Sequence, residues 1–458
     1  MRQPSLKTLL TGFAIVSLGV FITGNARAQE KKTDEPDLQI MCADIPDIII
    51  PLKTPRFDQS VPYKNLDGII GEDRYIVAAP AGKDKLLIVG ESWPYDTRVK
   101  KTGDRHLLFA SMDIKGNVSE VHRVVFKAEG RFLKGFGVSA NEFALLNVAN
   151  EGGESAKSAM VFVSADGKKI SVKPLAVSGY SGINVTDIIR NNKTGHFTAL
   201  ADLTSAATPE KSDAAIIHLD RSGNVTSHRK FTSGIDSKLH GLTATKDGGY
   251  IAVGEISLRE GNRSAWMVHL NESGAILSQT PYLRGAKAKL VRALPLADGR
   301  ILLAGNVTGA KTPEGKDEGE AGWLMLLSSG GQVLWQRYVT GIFGYDPVQL
   351  GDLEDGRLVM LANARPHDER VGKRHVRQLT FAPNGYLLDD VAYYDGTATV
   401  LNSALLSRKP QDVSLLIGQA QTGFVSYKQP LEIRRASFDA WLSGTVTYPA
   451  WENPCLKP

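Results

Sequence analysis

Residues 238–256, KLHGLTATKDGGYIAVGEI, and residues 264–283, SAWMVHLNESGAILSQTPYL, decide the fold. They contain four short β-rich runs. Asp247-Gly248 marks a tight turn between the first and second runs, and the Asn271–Gly274 segment marks another between the third and fourth. The second run is almost wholly apolar, as in a strand covered on both faces. The fourth alternates apolar and polar residues, as in an outer strand with one wet face.

The same unit follows at residues 289–307, KLVRALPLADGRILLAGNV, and 321–339, AGWLMLLSSGGQVLWQRYV. Outward from these copies the pattern weakens but keeps its step. The apolar second run ends on a small residue at Gly90, Asn147, Ala201, Gly254, Gly305, Ala362 and Gly418, with steps of 57, 54, 53, 51, 57 and 56 residues. A turn glycine recurs in phase at Gly116, Gly167, Gly223, Gly274, Gly331 and Gly385, with steps of 51, 56, 51, 57 and 54 residues. Two markers keeping one period establish a repeat.

Four antiparallel strands per unit, seven units and no helical period between them describe an all-β chain. The expected fold is a single seven-bladed β-propeller of four-stranded antiparallel blades, spanning residues 69–440. An eight-bladed ring, with residues 44–66 supplying the extra blade, is the alternative. One four-stranded sheet cannot bury both faces by itself, and neighbours on either side solve this. The small residues ending the second runs suit close packing between blades near the axis. Trp266, Trp323 and Trp335 fall in phase with strands and read as core.

The repeats resemble bacterial exported propellers with the pattern D-G-G-Y, G, W-x-x-x-L-D, G, L-W. The resemblance covers about residues 70–424 and is sharpest at 238–338. It concerns architecture only. The phased Gly-His and Trp-Asp pairs of WD40 repeats are missing, and the period is nearer the roughly 50 residues of kelch repeats. The repeated tryptophan motif of quinoprotein propellers is missing too.

The ends of the chain carry their own signals. Arg2 and Lys7, an apolar stretch from Leu9 to Ile22, and Ala26-Arg27-Ala28 read as a signal peptide over residues 1–28. The apolar stretch falls short of the roughly 20 residues of a spanning helix. No transmembrane segment is expected after cleavage, and the mature chain is expected in the periplasm or secreted. Residues 29–68 form an N-terminal segment in which Ile45–Lys53 is expected to supply a ring-closing strand to the seventh blade. Residues 441–458 are expected as a C-terminal tail tied to that segment. Closure of a ring would bring Cys42 near Cys455, and an oxidising compartment favours a disulfide between them.

A net charge of +5 over 458 residues gives no argument for nucleic acid. The long connections between second and third strands share one face with the blade-to-blade connections, which suits a binding face. Two of them are basic. One carries Arg98, Lys100, Lys101 and Arg105; the other carries Arg365, Arg370, Lys373 and Arg374. Two readings stand: solvated tips, or a basic rim for a protein or an anionic envelope component.

No catalytic, metal or cofactor motif is present. There is no HExxH, no G-x-S-x-G elbow and no metal-like histidine pair on a strand. The acidic connection with Glu314, Asp317, Glu318 and Glu320 lacks ordered calcium-loop spacing. The expected function is therefore a non-catalytic exported scaffold that binds through its loop-rich face. The alternative is a polysaccharide hydrolase or lyase with an acid pair at the axis.

Overall fold

A computed structural model describes residues 45–52, 56–58, 71–81, 85–96, 101–102, 104–113, 118–149, 156–207, 212–231, 236–259, 262–309, 319–367, 373–394, 398–410, 414–428, 432–443, 448 and 451. Residues 1–44, Cys42 included, lie outside these, as does Cys455. Every regular element among the described residues is a strand. The pairings sort into seven antiparallel units, six of four strands and one of three, in a propeller-like ring. Their first strands are Gly71–Pro80, Arg131–Ser139, Tyr180–Arg190, Asp236–Ala244, Lys287–Pro295, Phe343–Asp352 and Ala398–Leu405.

The turn glycines behave as the sequence predicts. Gly248 and Gly274 have φ of 91° and 76°, a region closed to most side chains. Each donates its backbone N–H back across the turn, Gly248 to Thr245 O at 3.3 Å and Gly274 to Asn271 O at 2.9 Å.

The small residues of the second strands serve a different purpose from the one expected. In all seven units the first strand is bulged at a corresponding point, at Ile76, Leu133, Thr186, His240, Val291, Val348 and Asn402, and the first strands of units 2 and 3 each carry a second irregularity. The residue just before the bulge lies opposite the small residue, as Leu239 does opposite Gly254 and Leu290 opposite Gly305. A Cβ at Gly254 or Gly305 would collide with the carbonyl oxygen of Lys238 or Lys289. The close approach is thus to the unit's own first strand. It is needed because an inserted residue swings the backbone toward its partner.

The core is divided. Seven hydrophobic clusters form among the described residues, one at each junction between adjacent units. Trp266 fills the junction of units 3 and 4, and Trp323 that of units 4 and 5; they are 1% and 0% exposed. Tyr75, Ile88, Leu108, Leu415 and Ile417 join unit 7 to unit 1. Each face of a four-stranded sheet is therefore buried by a neighbour, and the ring leaves no terminal face uncovered.

The described strands of the N-terminal segment do not pair with unit 7. Asp47–Pro51 pairs in parallel with the outer strand of unit 5, Val333–Thr340. Arg56–Asp58 pairs in parallel with the outer strand of unit 6, Leu387–Tyr393. Strands within 44–66 therefore extend existing units and do not build another. Arg337 gives the physical reason. Its guanidinium is buried over the Trp335 ring, with Cζ 4.8 Å from the centroid, and needs acceptors. The carbonyls of Ile45 and Pro46 supply them at 3.0 and 3.2 Å, and Gly385 O of unit 6 supplies another at 2.8 Å. Burial pushes this guanidinium down to about 10, with Asp47 opposing, so it remains charged at neutral pH. Ile49 and Ile50 then cover apolar surface on the two flanking clusters.

Gly305→Ala is expected to lower stability by about 1–3 kcal/mol in urea denaturation, because the new methyl meets backbone. Ala362→Gly, at the equivalent point of unit 6, is expected to cost about 1 kcal/mol or less. An unchanged midpoint for Gly305→Ala would remove the proposed role of the bulge.

Candidate functional site

The first strands of all seven units line an axial cavity of about 480 Å³. Its walls hold Lys134, Asp187, Arg190, Arg292, Gln349, Asn402 and Ser403. Most of these polar groups sit at or just after a bulge, and each is engaged with its neighbours. Lys134 Nζ donates to Asp187 Oδ1 at 2.7 Å, joining units 2 and 3. Leu242 N donates to Asp187 Oδ2 at 2.8 Å, joining units 3 and 4. Arg292 Nε donates to Val348 O at 2.6 Å, and Ala404 N donates to Gln349 Oε1 at 3.1 Å. Asn402 Nδ2 and Ser403 Oγ of unit 7 donate to Tyr75 O and Ile76 O of unit 1 at 2.9 and 3.1 Å. Between units 4 and 5 a glycine takes this place: a Cβ on Gly241 would strike Val291 O.

This lining limits the chemistry. Asp187 is the one carboxylate among the described lining residues, and Lys134 Nζ and two backbone N–H groups already occupy its oxygens. Glycoside cleavage by a carboxylate pair needs a second acid across the cavity. No group of three or more His, Cys, Asp or Glu residues among those described is arranged to hold a metal ion. Among the described residues no helix is long and apolar enough to cross a membrane.

The loop-rich face carries the residues that the sequence singled out. Arg105 does not reach its rim. It is 7% exposed, and its guanidinium lies 4.2 Å from the Phe132 ring and 5.2 Å from Trp93. Its Nη2 pairs with Glu91 Oε2 at 2.5 Å, and its Nη1 donates to Asn147 Oδ1 at 2.8 Å. Arg74 Nε donates to the other Glu91 oxygen at 2.5 Å, and Phe132 N donates to Oε2 at 3.2 Å. Glu91 is fully buried, so two guanidinium groups share one buried carboxylate between units 1 and 2. Burial pushes Arg105 down while Glu91 holds its charge in place.

Arg98, Lys100 and Arg370 lie outside the described residues. Lys101 opens the short strand Lys101–Thr102. Arg365 is 41% exposed, 3.3 Å from Glu320 Oε1 and 3.5 Å from Asp346 Oδ2. Lys373 Nζ sits 5.6 Å from the Tyr394 ring, and Arg374 beside it is exposed. The described rim residues are thus Arg365, Lys373 and Arg374, all of unit 6.

Sequence reasoning missed a second ring of polar residues one step beyond the small residue of each second strand. It holds Glu91, Asp202, Glu255, Asn306, Asn363 and Gln419, with Val148 as the apolar exception. In units 1, 5 and 6 this side chain bonds the first strand of the next unit. Asn306 Nδ2 donates to Tyr345 O, while Asn363 exchanges bonds with Leu401 N and O at 2.7 and 3.0 Å. The signal was present in LLIVGE, FTALAD, YIAVGE and ILLAGN. Asp202 and Glu255 are used within their own units. Burial raises Asp202 above the ordinary carboxylate range, with Asn184 Nδ2 at 3.5 Å opposing. Burial also works to raise Glu255, but His240 and Arg263 beside it bring it below that range.

Carboxylates on this face lie deeper than the cations they meet. Arg131 is 59% exposed above Glu72 at 30%, Arg263 is 35% above Glu255 at 15%, and Arg365 is 41% above Glu320 at 27%. Asp346, at 45%, is as exposed as its partner Arg365.

No protein-family profile matches the chain, and no curated protein matches it in sequence. Solved structures do. A puromycin-hydrolysing peptidase of Mycobacterium tuberculosis matches at 12% identity and a TM-score of 0.48, over 80% of this chain and 53% of the peptidase. This chain therefore spans about half of that protein. The β-propeller domain of the Trilobed protease from Pyrococcus furiosus matches at 10% identity and a TM-score of 0.42, over 83% and 99% of the two chains. The WD40 domain of Neurospora crassa Pan2 matches at 9% identity and 0.41, over 79% and 94%.

Glu91→Ala would strand two arginines and is expected to destabilise by about 3–5 kcal/mol in denaturant unfolding. Glu72→Ala, which breaks a solvent-exposed pair, is expected to cost about 1 kcal/mol or less. Equal effects would show that burial does not set the weight of the Glu91 cluster.

His375 opens the third strand of unit 6 and packs edge-on to Phe343, with ring centroids 4.8 Å apart. Its Nδ1–H donates to Lys373 O at 3.0 Å. Burial lowers its pKa, and the Lys373 carbonyl opposes that shift. A lowered folded-state value contributes stability that is fully present above the unfolded value of about 6.5 and is lost as pH falls through the folded one. Melting temperature should therefore drop as pH falls below about 6.5. His375→Gln should flatten that drop, and an unchanged profile would exclude His375 as a source. His218, lowered mainly by burial, acts with the same sign and sets the residual slope.

Proposed function

We propose that this protein is an exported, non-catalytic propeller that uses its loop-rich face to bind an anionic component of the cell envelope. The observation carrying this reading is the layering of charge on that face, with guanidinium groups outward and most of their carboxylate partners beneath. An approaching anion meets cations first, which favours association and makes it salt-dependent. Arg365, Lys373 and Arg374 form the described part of the rim; Arg98, Lys100, Lys101 and Arg370 extend it in the proposal. The saturated lone carboxylate of the axial cavity favours binding over hydrolysis. Export rests on the signal-peptide reading of residues 1–28 and places the protein in the periplasm or outside the cell. No cofactor enters the reading.

The test is retention of the mature protein on an immobilised acidic polysaccharide and on phosphatidylglycerol vesicles. Wild type should be retained at low salt on at least one of them and released as salt rises. The triple variant Arg365→Ala, Lys373→Ala, Arg374→Ala should lose retention by about tenfold, each lost charge near the surface contributing roughly 1 kcal/mol or less. Retention that is equal in wild type and variant would overturn the assignment of the rim.

A further inference from the structure

On the opposite face, where the short turns lie, a groove of about 550 Å³ runs between units 2 and 3. That volume falls within the roughly 300–1,000 Å³ typical of small-molecule sites. Four cations line it, Lys173, Arg190, Lys193 and Arg221, against the single carboxylate of Glu142. Two other cations of the turn face are paired, Arg300 with Asp298 at 2.7 Å and Arg408 with Asp352 at 2.7 Å, while Lys246 donates to Ala297 O. None of the four groove cations has a carboxylate partner among the described residues.

Arg190 is the centre of the groove. It is half-buried, and its five N–H donors reach only two acceptors, Gly137 O and Val138 O, both at a long 3.4 Å. Its Nε is buried without an acceptor in reach. Gly195, with φ of 76°, lies between Arg190 and the base of the Arg221 side chain: a Cβ there would sit 3.6 Å from Arg190 Nη2 and 3.6 Å from Arg221 Cβ. The positive φ favours glycine at this turn, which Arg190 and Arg221 flank on either side. Phe162 supplies an apolar wall, and Arg190 also lines the axial cavity, so the groove lies at the turn-face end of that cavity.

We propose that this groove binds a small phosphate monoester, with the phosphate between Arg190 and Arg221 and the carbon body against Phe162. Planar guanidinium groups match phosphate oxygens two at a time. A monoester carries close to two negative charges near neutral pH, which suits four cations set against one carboxylate better than a single carboxylate ligand would. The site is separate from the loop-rich face, so it does not depend on the binding proposed there.

The experiment is calorimetric titration of the mature protein with inorganic phosphate and with glucose 6-phosphate, at ionic strength held constant with sodium chloride. Both should bind saturably, glucose should not, and Arg221→Ala should weaken phosphate binding about tenfold or more. Arg190→Met should do the same. Should that half-buried variant unfold, Lys193→Ala joins Arg221→Ala, since both residues stand exposed on turns. The triple variant of Arg365, Lys373 and Arg374 should bind phosphate as wild type does, which separates this site from the loop-rich face. Unchanged affinity in Arg221→Ala, or an equal response to chloride, would overturn the proposal. Capture by phosphatidylglycerol vesicles with no response to soluble phosphate would also overturn it.

Discussion

The structure depends on a belt of contacts around the axis, in which side-chain hydrogen bonds along the cavity tie the first strand of one unit to the first strand of the next at five of the seven junctions. The belt runs from Lys134 through Asp187 to Leu242 N, then from Arg292 to Val348 O and from Gln349 to Ala404 N. Asn402 and Ser403 close it on Tyr75 and Ile76, across 327 residues of chain. In units 3, 5, 6 and 7 a polar side chain at or just after the bulge meets a free carbonyl or N–H of the neighbouring backbone. That backbone would otherwise be an unpaired strand edge facing the cavity. The apolar clusters at the seven junctions supply most of the burial, but they are non-directional. The belt fixes the rotation of each unit against the next.

This use of polar groups has a functional consequence. Polar side chains of the axial cavity hold neighbouring units together. Asp187 shows it most clearly, since its two oxygens serve units 2 and 4 at once. The cations that the two proposed sites use lie at the two ends of the cavity. The loop-rich end has cations above their carboxylates, and the turn end has cations without them.

Buried arginines do the corresponding work at the periphery. Arg337 gathers carbonyls from the N-terminal segment and from the unit 6 turn. Arg357, 1% exposed, pairs with Asp355 at 2.7 Å and lies under the rings of Tyr448 and Trp451, each 5.7 Å from Cζ. The part of the C-terminal tail that is described thus docks on unit 6. A guanidinium with several acceptors can fasten chain segments that have little apolar surface of their own.

Much of the fold was legible because it rests on local chemistry. Gly248 and Gly274 announce turns by their own backbone freedom, and the apolar second strands announce burial on both faces by composition. The tryptophans at 266 and 323 were read as core from their phase alone, and they are core. The charged residues were harder. Arg105 reads as a rim cation beside Lys100 and Lys101, yet it is buried, because its partner Glu91 lies 14 residues earlier on the adjacent strand and Arg74 approaches from another. Ile45–Lys53 reads as a closing strand for the seventh blade, yet its described strand Asp47–Pro51 pairs with the outer strand of unit 5, where Arg337 takes the carbonyls of Ile45 and Pro46.

The sequence by itself determined the repeat, the all-β class, the places of the turns and the residues that must be buried. All of these follow from spacing, backbone freedom and apolar pattern within one unit. Only the tertiary structure decided the bulge in each first strand, the partners of Glu91 and Arg337, and the placing of Arg190 and Arg221 along one groove. Each depends on register between strands or on contact between units. A shift of one residue in register sends a side chain to the other face of its sheet, and no local pattern in the chain records that choice.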